Sequence, residues 1–362
     1  MIYKLILSLR NARYRGGRHS SRAGVPTVCI GNITVGGTGK TPHIEMLLRE
    51  LLASEQWGMR SIAVLSRGYK RRSKGFQQVP YDGTASRYGD EPLQIKRKFP
   101  SVTVAVDKDR VEGCDILEHP EKALKLKKCS APEFPAADII LLDDAYQYRK
   151  LKADTDIVLT DYDHPVSEDS LLPFGRLRDL KQRLYDADIV IVSKCPYALD
   201  ASEKEEFARR LGWESYDPQT CIATRKGRSA LLLFSVIEYD HCMPVAEAAD
   251  SRYTYSHKAV LFSGIADDTP LRNHISDTYK IVEHLRFPDH HRYAKADVRK
   301  LRAAMKRNPT AAFITTEKDA QRLRDLQQIP AELRERLFCI PIKVAFSSES
   351  ERALFLAKTT SL

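Results

Sequence analysis

Residues 25–52, VPTVCIGNITVGGTGKTPHIEMLLRELL, decide the fold. The apolar run at residues 25–30 predicts a short buried strand. Beyond a glycine-rich turn, Ile44, Leu47, Leu48 and Leu51 recur at helical spacing. Strand, glycine loop, Gly-Lys-Thr and helix, in that order, are what a phosphate-binding loop requires. Successive backbone N–H groups and the positive end of the helix can cradle a triphosphate. The residues so placed are Thr34, Val35, Gly36, Gly37, Thr38, Gly39, Lys40 and Thr41. Lys40 is expected on the outer phosphates of ATP and the Thr41 hydroxyl on Mg²⁺. The usual first glycine of G-x-x-x-x-G-K-[ST] is Thr34 here, so Gly36 and Gly37 must supply the backbone freedom. A strand–turn–helix that contains GKT by chance is the competing reading, and the correct flanks weigh against it.

Downstream, AADIILLDDAYQ runs a buried strand at residues 139–142 straight into Asp143 and Asp144. Carboxylates at a strand tip after a phosphate loop have the Walker B arrangement for Mg²⁺. Asp143 is the favoured direct ligand, with Asp144 supporting the loop or a bound water. Between these motifs, residues 62–65 form another apolar run that ends in Ser66-Arg67-Gly68-Tyr69. Ligands gather at the carboxyl ends of parallel strands, so Arg67 and Tyr69 could meet an anionic, partly apolar ligand. Asp90 in GDEP reads by itself as a helix N-cap. Two further apolar strands, in DTDIVLTDYD and DADIVIVSK, flank a Pro-Gly loop and a basic helix, LLPFGRLRDLKQRL.

The chain of 362 residues is long enough for about two domains. With 43% hydrophobic residues and a mean hydropathy of −0.40, it reads as globular rather than disordered or multispanning. The net charge of +10 attracts polyanions, among them anionic lipid and phosphorylated substrates. Nucleic acid would rest on that charge alone, because no recognition helix or stacking-aromatic motif accompanies it. Seven scattered cysteines with no C-x-x-C pair point to a reducing cytosol. At the N-terminus, MIYKLILSLRNARYRGGRHSSR places Ile2, Leu5, Ile6 and Leu9 on one helical face among arginines. A basic helix lying in an anionic membrane surface and a helix docked on the core are equally open there.

Taken together, GNITVGGTGKTP, LSRGY, GDEP, VDKDR, LDDAYQ, LLPFGRLRD, IVSK, SGIADDTP, FPDHHRY and ITTEKDA resemble, in order, the tetraacyldisaccharide 4′-kinase family. The resemblance covers residues 25 to about 323, and Thr34 in the loop is itself a trait of the family. It implies ATP- and Mg²⁺-dependent phosphorylation of the 4′-hydroxyl of a lipid A disaccharide 1-phosphate, giving lipid IVA at the cytoplasmic face of the inner membrane. It also implies an α/β fold made of a phosphate-loop parallel-sheet domain and a smaller second α/β domain. The expected divisions are an N-terminal helix at 1–24, a kinase domain at 25–220, a two-stranded β linker at 221–258 and a closing domain at 259–362. Carried over from the family, Arg67, Tyr69, Arg110 and Arg178 would receive the lipid, with Gln147 in support. Asp90 and His290, one from each domain, would act together on the attacking hydroxyl. The family's D-D-G-F-Q-H stands here as Asp143-Asp144-Ala145-Tyr146-Gln147-Tyr148, without its glycine and histidine. A P-loop NTPase switch, acting in assembly or metal delivery, is the alternative from another class.

Overall fold

Short runs of Ile, Val and Leu that are hidden on both faces form parallel strands, and such runs build the centre of this chain. Their ranges are β1 (Thr27–Asn32), β2 (Ile62–Ser66), β3 (Gln77–Gln78), β4 (Thr103–Val106), β5 (Ile139–Asp143), β6 (Thr155–Asp161) and β7 (Ile189–Ser193). After them come β8 (Ser215–Asp217), β9 (Ile222–Arg225) and β10 (Arg228–Tyr239). Every residue of β1, β2, β4, β5 and β7 is buried. Each such apolar side chain contributes about 1.5–3 kcal/mol on leaving water. The computed structural model describes residues 2–14, 19–126, 134–289, 291–324, 326 and 329–361.

The strands lie in the order β3-β4-β2-β5-β1-β6-β7-β10-β9-β8. From β4 to β10 the pairing is parallel, and β3, β9 and β8 pair antiparallel at the edges. β1 sits between β5 and β6, so the order reverses beside it, and the carboxyl ends of such strands form the binding crevice of an open α/β sheet. Two helices matter for the site, α1 (Ile2–Arg13) and α2 (Lys40–Ala53).

A second sheet contains β11 (Met243–Pro244), β12 (Lys258–Ser263), β13 (Lys280–Arg286), β14 (Ala312–Thr316) and β15 (Leu337–Ile340), in the order β11-β15-β14-β12-β13. It is parallel except for β11. Phe262, Phe313 and Leu301 lie in its core. The chain then returns through β16 (Ile342–Phe346), which pairs with β10.

Two compact units result. One comprises Met1–Asp82, Ile95–Ile237 and Val344–Leu362; the other comprises Gly83–Gln94 and Glu238–Lys343. This differs from the boundaries drawn from sequence. β9 and β10 do pair, but within the large sheet, and the strands that lead out and back are β10 and β16. Within the stretch expected as a two-stranded linker, SRYTYS is a 3-10 turn capped by the Asp250 carboxylate. The C-terminal helix Glu349–Thr360 belongs to the first unit, where Glu351 accepts from Lys204 and from the backbone N–H of Phe234 in β10. GDEP also changes sides: Asp90 and Glu91 fold with the second unit, not with the phosphate-loop domain.

Candidate active site

The glycine loop between β1 and α2 is shaped by backbone that side chains other than glycine rarely adopt. Gly36 has φ +109° and Gly39 has φ +84°, and a Cβ at Gly36 or Gly37 would meet nothing within 4 Å. α2 begins at Lys40, so its first N–H groups face the loop, as a phosphate site requires. Side chains from the strand ends fix the loop from beneath. Asn32 donates to the Thr38 hydroxyl at 2.9 Å, and the Ser193 hydroxyl donates to the Thr38 carbonyl at 2.9 Å. The Val35 N–H donates to the Arg176 carbonyl at 2.7 Å, and Thr34 bridges Leu177, so the LLPFGRLRD segment is paired to the loop. After that segment comes a 3-10 turn, Lys181–Asp186, where the sequence predicted a basic helix.

One turn into α2, the buried His43 ring locks the loop to the sheet. Its Nδ1 lies 2.7 Å from the Gly39 carbonyl and must donate there, which leaves Nε2 to accept from the Ser235 hydroxyl at 3.0 Å. Burial holds this imidazole neutral, with a pKa lowered to about 4 despite the Gly39 hydrogen bond. No role was read for His43 from sequence, and GKTPH offers none without the fold.

Asp143 ends β5, in register beside Ile30 of β1, and accepts from the Ser66 hydroxyl at 2.7 Å. Asp144 follows in the left-handed region, at φ +48°. A non-glycine residue there marks local strain of a kind that clusters at functional sites. Its carboxylate accepts from Arg178 and lies 4.0 Å from the Lys40 ammonium. Burial would raise the Asp144 pKa, but Lys40, Arg178 and Arg110 together hold it below the ordinary carboxylate value. Arg178 also donates to the Asn32 side chain at 2.5 Å. Arg178, expected on the lipid, is therefore knitted into the phosphate loop. Asp144, expected near the metal, faces two cations.

Arg110 is buried, donates to the Lys108 carbonyl at 2.9 Å and lies 5.4 Å from the centre of the Tyr148 ring. Its Nε has no hydrogen-bond partner among the described residues, and the same holds for the Gln147 amide nitrogen. Arg67 and Tyr69 are exposed at the end of β2. A buried hydroxyl from Thr41 and the Asp143 carboxylate are hard oxygen donors, the type that suits Mg²⁺ alongside nucleotide phosphates. The residues present fit that ion.

In the second unit, Asp90 lies in the first turn of the helix Asp90–Lys98, not at its N-cap. Arg322 grips Asp90 Oδ2 through Nη2 at 2.7 Å and Nε at 3.2 Å, while Oδ1 accepts from the Glu91 N–H. Arg322 is itself fixed: Nη1 donates to Asp319 at 3.0 Å and to the Gly264 carbonyl at 3.1 Å. Fully buried Asp319 accepts in turn from the Gly264 N–H and the Thr316 hydroxyl. Beside this pair, Lys318 donates to Glu91 at 2.6 Å. Arg322 and Asp319 stand in the ITTEKDA segment and its continuation, and sequence reasoning gave them no role. His290 lies outside the described residues. Its neighbour His291 donates through Nε2 to the Asp297 carboxylate at 2.9 Å and stacks on Phe287. Asp90 thus shares a unit with FPDHHRY, where one residue from each domain was expected.

A glycine loop at the head of a helix, beside a strand-end carboxylate in a parallel sheet, defines the class: a P-loop nucleotide-binding α/β protein. Residues 1–360 match the family described as Tetraacyldisaccharide-1-P 4′-kinase. The chain belongs to that family. A tetraacyldisaccharide 4′-kinase of Parabacteroides distasonis is 37% identical over 340 residues, covering 92% of this chain and 84% of its own. Its counterpart in Flavobacterium johnsoniae is 35% identical, covering 97% and 92%. Among solved structures, LpxK of Aquifex aeolicus in its "apo" form in complex with ATP superposes with a TM-score of 0.67. It is 26% identical, covering 99% of this chain and 95% of its own.

Proposed function

We propose that this protein transfers the γ-phosphoryl group of ATP to the 4′-hydroxyl of a tetraacyldisaccharide 1-phosphate, forming lipid IVA. The observation that carries this reading is a family match along residues 1–360 with the Gly-Lys-Thr loop and the Asp143-Asp144 strand end intact. No feature favours a nucleotide switch over a kinase. The loop backbone and Lys40 hold the β- and γ-phosphates, and Thr41 and Asp143 are the residues that would hold Mg²⁺. When bound, Mg²⁺ neutralises charge on the transferring phosphoryl group.

Asp90 is assigned as the base. It accepts the 4′-hydroxyl proton as the new O–P bond forms and the bond to the ADP oxygen breaks, with His290 orienting it. Arg322 is a positioning residue for Asp90, because it fixes the carboxylate and is itself held by buried Asp319. Arg67, Tyr69 and Arg110 are assigned to the anionic lipid, with Gln147 in support; Arg178 serves there through its hold on Asn32 and Asp144.

Among the described residues no helix is long and apolar enough to cross a membrane. The proposed attachment is peripheral, at the cytoplasmic face of the inner membrane, through α1. That helix buries Leu7 but exposes Leu5, Ile6 and Leu9. Ile2, counted with them from sequence, is described by its backbone alone. The deciding experiment is transfer of labelled γ-phosphate from ATP to the tetraacyldisaccharide 1-phosphate. Label is expected on the lipid with wild type, and at a rate ~10²–10³-fold lower with Lys40→Ala. ATP hydrolysis without lipid labelling would favour the switch.

A further inference from the structure

One edge of β10 changes partner in mid-strand. As far as Leu232, whose N–H donates to the Cys221 carbonyl at 2.8 Å, the neighbour is the chain that enters β9. At Phe234 the C-terminal segment takes over. The Ser347 N–H donates to the Phe234 carbonyl at 2.9 Å, and the Phe234 N–H donates to Glu351 Oε2 at 2.6 Å. A buried backbone N–H without a partner costs free energy, so this carboxylate fills the place of a missing strand. Glu351 is 1% exposed. Its other oxygen accepts from the Ser347 hydroxyl at 2.7 Å and from the Lys204 ammonium, which matches its charge inside the first unit.

The residue after Phe234 reaches the nucleotide loop. Side chains alternate along a strand, so Phe234 and Ser235 point to opposite faces of the sheet. The Phe234 ring packs against Phe207, with ring centres 6.1 Å apart, and under the Lys204 ammonium. Ser235 points toward α2, where its hydroxyl meets His43 Nε2 while His43 Nδ1 holds the Gly39 carbonyl. The Ser235 carbonyl accepts from the Cys195 N–H at 2.9 Å, two residues beyond Ser193, which holds the Thr38 carbonyl.

Those two carbonyls decide what the loop presents to an anion. A peptide group is planar and trans, so its C=O and N–H point in opposite directions. Drawing back the Thr38 and Gly39 carbonyls turns the Gly39 and Lys40 N–H groups the other way, to the side where phosphate binds. The hold on Gly39 is only as firm as the placement of Ser235, and Glu351 pins the strand one residue before it.

We propose that Glu351 is a positioning residue for the nucleotide loop, acting through the β10 backbone, Ser235 and His43. The proposal rests on the reading of this loop as the ATP site. The test is the Kd of the full chain for MgATP, measured by calorimetric titration without lipid, with the melting temperature recorded beside it. Two double variants remove the Lys204–Glu351 charge pair and differ in one respect. Glu351→Gln with Lys204→Met keeps an acceptor for the Phe234 N–H and should bind MgATP as wild type does. Glu351→Leu with Lys204→Met offers no acceptor and should raise Kd roughly five- to tenfold. His43→Phe, which deletes both ring hydrogen bonds, should raise it by a similar factor. Added to the Leu form, it should cost far less than the product of the two. Arg352→Ala is the control for docking of the same helix, since Arg352 grips Glu50 at the far end of α2 at 2.7 and 2.8 Å. It should lower the melting temperature and leave Kd unmoved. If the Leu form does not fold, Ser235→Ala breaks the chain one step later and carries the same expectation.

Equal Kd values for the Gln and Leu forms would make Glu351 a structural residue only and overturn the proposal. Fully multiplicative losses with His43→Phe would overturn the route through Ser235. A rise in Kd with Arg352→Ala equal to that of the Leu form would assign the effect to helix docking instead. A wild-type Kd in Lys40→Ala would overturn the reading of the loop itself, whatever the Glu351 variants do.

Discussion

The phosphate loop and the Asp90 cluster solve the problem of holding an anion or a carboxylate in opposite ways. The loop is one contiguous stretch, and its grip is mostly backbone: glycines in left-handed conformations and the free N–H groups that begin α2. The Asp90 cluster is mostly side chain, supported by the Gly264 backbone, drawn from residues 90, 264 and 316–322, and centred on a guanidinium held by two carboxylates. A backbone site tolerates change in the side chains around it but not in the glycines or the lysine. A side-chain site depends on each member, because losing one leaves a buried charge unmatched.

Lys40→Ala should produce the largest effect, a fall in kcat of ~10²–10³-fold, as for other preorganised groups facing developing charge. Asp143→Ala should approach it and should lose metal-dependent turnover while the melting temperature holds. Near-normal turnover of either variant at saturating MgATP would break the backbone half of the comparison.

Asp90→Asn should follow, with kcat reduced by ~10²-fold and little change in ATP binding. If His290→Ala gives a similar loss, the double variant should lose far less than the product, since the two would act as a unit. Multiplicative losses would separate them.

Arg322→Ala sharpens the side-chain half. Removing a cation from Asp90 favours the protonated carboxyl, so the acidic limb of kcat should move to higher pH, with Arg322→Lys partly restoring it. A kcat loss with an unmoved pH profile would make Arg322 a purely structural residue.

The smallest expected effect concerns His43. Its folded pKa, near 4, lies below the value of about 6.5 in the unfolded chain. Between those values the unfolded state binds more protons, so stability rises with pH across that window and is lost as pH falls through it. In melting curves from pH 4 to 7, His43→Gln should show a shallower dependence than wild type. An unchanged slope would remove His43 from the loop's support.

The linear sequence made the phosphate loop legible because its chemistry is local: a glycine pattern, Lys40 and Thr41 lie within eight residues, bounded by a strand and a helix. The parallel strands were legible for a similar reason, since β1, β2, β5 and β7 each carry a short apolar run. Other features resisted because they depend on distant partners. Arg322 looks like any helix arginine until the fold brings it to Asp90, 232 residues away in the chain. Arg178 gives no sign in the sequence of its ties to Asn32 and Asp144, 146 and 34 residues away.

By itself, then, the sequence determined the nucleotide-binding end of this protein and the fold class, because local spacing fixes backbone conformation and burial periodicity. Only the tertiary structure decided that GDEP folds with residues 238–343, that β10 and β16 carry the chain out and back, and that Glu351 meets the backbone of Phe234. Each of these depends on which distant side chains meet in space, and pair partners at separations beyond a hundred residues leave no mark on local pattern.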